Sequence, residues 1–103
     1  MLVNEERVIA RFEQQPWERK RYRVDFRQHL APGETVSIPS FLATPETVPP
    51  VVVDAIAIAP EGNQLILFIS GGVDATTYRL RMRTVTSDGQ NLEDEIDVRI
   101  REA

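Results

Sequence analysis

Glu93, Asp94, Glu95 and Asp97 are the densest group of potential ligands or catalysts in the chain. Carboxylates that crowded either hold a hard cation such as calcium or work in pairs as acid and base. A calcium loop spaces its oxygens on an Asp-x-Asp-x-Asp-Gly turn, and these four residues follow no such pattern. A hydrolytic pair needs two acids converging across a cleft. Glu93, Glu95 and Asp97 instead alternate along one extended segment, which puts them on one face, beside Arg79, Arg81 and Arg83. They read as a neutralised charge ladder. His29 is the single histidine, set between a strand end and a turn, where it reads as a surface or capping residue. Metal sites need several convergent ligands, and the chain has no cysteine to add a thiolate or a disulfide. No serine stands in a Gly-x-Ser-x-Gly elbow. Ser70-Gly71-Gly72 lacks the Gly-Lys-Ser/Thr and the helix of a phosphate loop. No catalytic, cofactor or metal residue is expected, and the chain does not read as an enzyme.

Binding chemistry is the next possibility. The chain has 103 residues, a net charge of −4, 42% apolar and 27% charged residues, as in one ordinary globular domain. Residues 18–27 carry five basic and two acidic side chains, interleaved with Tyr22 and Phe26. A nucleic-acid platform stacks bases on several exposed rings, and the basic face of this segment carries only one. The basic row is expected to face solvent and find acids within its own protein. The N-terminus has no basic region followed by an apolar run, so no signal peptide is expected and synthesis is cytoplasmic. The runs Val51–Val53 and Leu65–Ile69 fall far short of the roughly 20 residues of a membrane helix.

The elements that position these side chains follow from period-2 alternation. Tyr78, Leu80, Met82, Thr84 and Thr86 alternate with the three arginines, and Leu92, Ile96, Val98 and Ile100 alternate with charged residues. Ser87-Asp88-Gly89 between them is a three-residue hairpin loop with glycine in the left-handed position. That loop pairs residues whose numbers sum to 176, so Arg83 meets Glu93, Arg81 meets Glu95 and Arg79 meets Asp97. A slip by two would oppose Arg79 with Arg99, and a slip by one would turn one apolar set to water. Asp94 falls inward opposite Met82, near the hairpin tip, and is expected to stay solvated.

Further strands are expected at 19–27, at 35–43 with Pro39 marking an edge or a bulge, at 51–59 and at 64–70. The 64–70 segment is apolar on both faces and should be central. Ala31-Pro32-Gly33-Glu34 and Pro60-Glu61-Gly62-Asn63 are turns. Six or seven short strands with turns between them predict an all-β fold, an antiparallel immunoglobulin-like β-sandwich, without the Cys…Trp…Cys hallmark. Residues 1–16 are expected to form an N-terminal arm and 17–103 the sandwich. In the arm, Val8, Ile9 and Phe12 fit a helical stripe and an extended alternation about equally, and no turn chemistry ties them down before Pro16-Trp17. Val8, Ile9, Phe12 and Trp17 are therefore the candidate partner contacts, with Trp17 alternatively a lid over one end of the sandwich.

The run Leu-Ile-Leu-Phe-Ile-Ser-Gly-Gly, then Val-Asp-Ala-Thr-Thr-Tyr-Arg-Leu, then Thr-Ser-Asp-Gly and a closing strand resembles tailed-bacteriophage fibre–tail adaptor proteins. The Tyr22–Phe26 strand, Leu30 and Gly-Glu-Thr-Val are similar to that family's first strand and turn. The resemblance spans about residues 19–101. It implies a virion structural protein without catalytic residues or cofactor, joining tail or fibre components in several symmetry-related copies. Its partners would be other virion proteins, with a homo-oligomer or symmetric copies in the particle, rather than nucleic acid, membrane or small substrate. A capsid decoration protein and a ligand- or carbohydrate-binding sandwich are the alternatives. Ala75 stands where the family pattern has glycine, so that turn is expected to differ.

Overall fold

Seven extended segments emerge where apolar residues recur at every second position. The computed structural model describes residues 8–102. The strands are β1 (Val8–Gln14), β2 (Arg19–Asp25), β3 (Ser40–Thr44), β4 (Val51–Ile58), β5 (Gln64–Gly71), β6 (Thr76–Val85) and β7 (Asn91–Ile100), with one 3-10 turn at Arg27–His29. They form two sheets, β1-β7-β6-β3 and β2-β5-β4. With the strands lettered A to G in chain order, the sheets are A-G-F-C and B-E-D. This is the constant-type immunoglobulin arrangement except that the first strand has joined the last instead of the second. β5 is central in its sheet, as its two apolar faces predict. β3 is an edge and begins just after Pro39, which supplies no ladder donor.

The hairpin register is the predicted one: Arg79 pairs with Asp97, Arg81 with Glu95 and Arg83 with Glu93. Its inward residues Tyr78, Leu80, Met82, Ile96, Val98 and Ile100 meet Leu65, Leu67 and Ile69 of the facing sheet in one buried core. Asp94 corrects the expectation. It lies opposite Met82, but only 9% of it is exposed. β1 runs along the far side of β7, with Val8 beside Glu95, so Asp94–Ile96 lie inside the sheet rather than at an edge.

That pairing also corrects the reading of the arm. Residues 8–14 are a strand of the sandwich, parallel to β7, with Phe12 beside Val98 and Gln14 beside Ile100. The rest of the expected arm before Val8, including Leu2 and Val3, lies outside the described residues. Gln14, which the sequence does not mark, is 2% exposed and joins the two layers. Its Nε2 donates to the Ile69 carbonyl at 2.7 Å and the Glu18 carbonyl at 2.9 Å, while its Oε1 accepts from the Tyr22 hydroxyl at 2.8 Å. A buried amide with these partners leaves no polar group stranded, which is what makes its burial tolerable.

The glycine pair and the tyrosine of the family-like motif form one corner. The buried Tyr78 hydroxyl accepts from the Val73 amide at 2.8 Å and lies 2.6 Å from the Thr47 hydroxyl. A tyrosine at the start of strand F bonded back to the preceding connection is the tyrosine corner of immunoglobulin-like sandwiches. Gly72, at φ +91°, packs so closely that a Cβ would come within 2.9 Å of Ile100 and 3.0 Å of Tyr78. Ala75 has φ +63°, so it takes the left-handed conformation that glycine takes without strain. The turn thus places an alanine in a backbone conformation that favours glycine.

Candidate functional site

An adaptor, as the resemblance implies, would work through its surface, so the exposed residues and the elements presenting them are what matter. Trp17 sits in the connection from β1 to β2 and is 94% exposed; it is not a lid over the sandwich. The turn beneath it is fixed. Glu18 N–H donates to the Gln15 carbonyl at 3.0 Å, Gln15 N–H donates to the Glu18 carboxylate at 2.7 Å, and Lys20 pairs with Glu18 at 3.3 Å. The Gln15 amide, followed by Lys20, holds the Glu18 carboxyl below its ordinary pKa. Gln14 ties the same turn to the interior through the Glu18 carbonyl. A bulky ring is therefore presented to solvent on a preorganised turn.

The other candidate contacts are placed differently. Val8 and Ile9 lie in β1, but their side chains are outside the described set. Phe12 is half-buried, its ring centroid 4.4 Å from that of Tyr22 in the facing sheet, so it closes the protein's own core. The sequence signal for this is the alternation of Ala10, Phe12 and Gln14, which is obscured by its polar last member.

The two outer faces differ in charge. On the β1-β7-β6-β3 sheet, Arg83 meets Glu93 at 2.7 Å, Arg81 meets Glu95 at 3.5 Å, and Arg79 meets Asp97 at 3.0 Å and Glu95 at 3.3 Å. The Arg83 guanidinium hydrogen-bonded to Glu93 holds that carboxyl below its ordinary range. Glu95 itself is only 4% exposed between its arginines. This face is internally neutralised, as the alternation of its residues predicts.

The β2-β5-β4 sheet turns a row of arginines outward. Arg19 lies over the Phe68 ring at 4.1 Å and reaches Asp54 at 3.1 Å. Arg23 donates to the neutral Gln64 amide oxygen at 2.7 Å. Arg21, exposed between them, has no side-chain partner among the described residues. Beyond the strand end, Arg27 takes Asp25 at 2.7 Å. The expectation that the basic segment finds its acids internally thus holds for Arg19, Lys20 and Arg27, which pair with Asp54, Glu18 and Asp25; Arg23 acts on Asp25 only at longer range, and Arg21 makes no ion pair among the described residues. Ile66 and Phe68 form a half-buried apolar strip beside this row.

Below the hairpin, a groove is lined by Ile38, Val85, Leu92, Ser37, Ser40 and Arg83, with no aromatic ring in its wall.

Comparison with known families decides what these surfaces belong to. A family model described as podophage GP4 fiber-tail adaptor protein gp77 matches residues 14–99. The chain belongs to this family. The match begins at the last residue of β1 and ends one residue short of the end of β7, so it takes in the corner, the hairpin and both charged faces. As a member of the fibre–tail adaptor family the protein is a structural component of a tailed-phage particle, and its partners are other tail and fibre proteins. No curated protein gives a significant match. Among the described residues, no helix is long and apolar enough to cross a membrane.

Proposed function

We propose that this adaptor is a non-enzymatic bridge at the junction of tail and fibre, present in several copies, and that Trp17 is its principal anchor on a neighbouring virion protein. The observation that carries this reading is the 94% exposure of Trp17 on a turn held by three hydrogen bonds and an ion pair. An exposed tryptophan contributes nothing to its own core, and buried tryptophans are prominent among the residues that dominate protein interfaces. Its rigid support lowers the entropy lost on docking. The ligand-binding alternative wants clustered exposed rings around a pocket, and the groove by the hairpin has none in its wall.

The test is complementation of a phage lacking this gene with Trp17→Ala. The variant should melt within about 1 °C of the parent protein, since an exposed surface change costs little. Its incorporation into particles should fall sharply, in line with a loss of about 2 kcal/mol or more at an interface anchor. Normal incorporation of the variant would remove Trp17 from the junction.

A further inference from the structure

Among the described residues the two sheets leave four edges, and three of them are blunted against strand addition. β4 carries a register shift between Asp54 and Ala57, with Ala55 at φ +50°. β3 has five residues and prolines on both sides, Pro39 and Pro45. β1 has its own register shift between Val8 and Ala10. Bulges, short strands and flanking prolines are the usual devices that keep an edge from pairing. β2 has none of these backbone devices and is guarded only by the charges of its side chains, which a strand of opposite charge would satisfy. Its seven residues pair with β5 in one unbroken register, from Arg19 opposite Ser70 to Asp25 opposite Gln64.

The ladder also shows which backbone groups β2 leaves open. Phe26 N–H donates to the Asn63 carbonyl at 3.0 Å, and this pair continues the same register. In an antiparallel ladder only alternate residues bond to a given neighbour. Lys20, Tyr22 and Val24 therefore bond toward β5, and the N–H and C=O groups of Arg19, Arg21, Arg23 and Asp25 point to the open edge. Three of these four residues are the ones whose side chains make the basic row.

We propose that the open edge of β2 accepts an extended segment of a different virion protein, one with acidic side chains at alternate positions facing Arg19, Arg21 and Arg23. This deepens the adaptor reading and rests on it. Residues directly opposite on paired strands share a face, so alternate acids would meet the arginine row at cross-strand distance. Among the described residues, Arg21 and Arg23 have no ion pair to give up. A second copy is the wrong occupant. Antiparallel pairing of two β2 edges centred on Arg21 would oppose Arg21 with Arg21 and Arg19 with Arg23, and like charges so placed repel. Main-chain bonds supply affinity in such additions, and the alternate charges select the partner.

The test uses an acetylated, amidated heptapeptide, Thr-Glu-Val-Glu-Val-Glu-Thr, and the same peptide with lysine replacing glutamate. Amide exchange of the full-length protein is followed by NMR with each. With the acidic peptide, the amides of Arg19, Arg21, Arg23 and Asp25 should exchange at least tenfold more slowly, while those of Lys20, Tyr22 and Val24 stay as protected as before. The lysine peptide should leave all of them unchanged. The double variant Arg21→Glu/Arg23→Glu should bind the acidic peptide at least tenfold more weakly, and Arg99→Glu on the opposite sheet should bind it as the parent does. Binding without protection of the four edge amides would show charge attraction alone and overturn the proposal, as would equal binding by the double variant. If the double variant enters particles as well as the parent does, the edge is not used and the adaptor reading survives. If the parent protein is absent from particles, the adaptor reading itself falls.

Discussion

At the residue scale, Glu34 is the side chain whose role is most unlike its appearance in the sequence. It closes the Ala31–Glu34 turn, where a solvated carboxylate is the ordinary expectation, yet only 4% of it is exposed. The Thr86 hydroxyl, the Gln90 amide at 2.9 Å and the Ala31 N–H at 2.8 Å all donate to it. These bonds, Thr86 first and Gln90 second, hold its carboxyl below the ordinary range. A carboxyl depressed in the folded state adds stability above its unfolded pKa, about 4.3, and that contribution is lost as the pH falls through the lower folded value. Glu34→Gln should therefore flatten the acid side of the stability profile below about pH 4.3 and leave the slope near neutral pH alone. Urea unfolding at a series of pH values checks this; an unchanged acid limb would mean that other carboxyls carry the effect. Ala75 offers a prediction of opposite sign. Its φ of +63° costs a residue with a Cβ about 1–2 kcal/mol, against about 0.5–1 kcal/mol for the extra freedom of glycine when unfolded. Ala75→Gly should raise the unfolding free energy by up to about 1.5 kcal/mol. A destabilisation on denaturant titration would mean that the alanine is not strained in this turn.

At the scale of elements, β1 is what changes most between sequence and structure. It has no ladder partner near it in the chain: it pairs with β7, and the ladder is extended by one more long-range bond, from the Arg101 N–H to the Gln14 carbonyl at 2.9 Å. Removing residues 1–14 takes away Phe12 from its contact with Tyr22 and the buried Gln14 from both layers. We expect a loss of at least about 3 kcal/mol, the scale for deleting a large core side chain, and a clear fall in the thermal midpoint. A truncated chain that melts like the parent would show that the β1–β7 ladder contributes little. The hairpin makes the contrast. Because both of its strands are adjacent in the chain, its register follows from local charges, and Arg81→Glu with Glu95→Arg should couple by about 0.5–3 kcal/mol in a double-mutant cycle. The burial of Glu95 favours the upper half of that range; coupling of Arg81 to Asp97 in its place would mean a different register.

At the scale of the whole molecule, surface charge separates a neutralised face from a basic one. The β1-β7-β6-β3 face is a ladder of closed ion pairs, and the β2 edge carries arginines that repel their own copies. The isolated protein should therefore remain a monomer in sedimentation, with copy number in the particle imposed by the symmetry of its partners. A stable dimer at micromolar concentration would overturn this.

Strands β2 and β4 to β7, the three-residue loop, the hairpin register and the central position of β5 were legible from one sequence, because each depends on neighbours in the chain or on the period-2 split of a sheet, whereas the strand expected at 35–43 begins only at Ser40. Trp17 read from the sequence either as a lid over one end of the sandwich or as a partner contact, and its 94% exposure rules out the lid. What only the tertiary structure decided is the long-range part: β1 parallel to β7, Gln14 and Glu34 as buried polar ties, and the open arginines of β2. A parallel pairing between the first and last strands leaves no turn signal, since no short connection joins them. A polar side chain betrays its burial only through the donors and acceptors that surround it, and those come from distant parts of the chain.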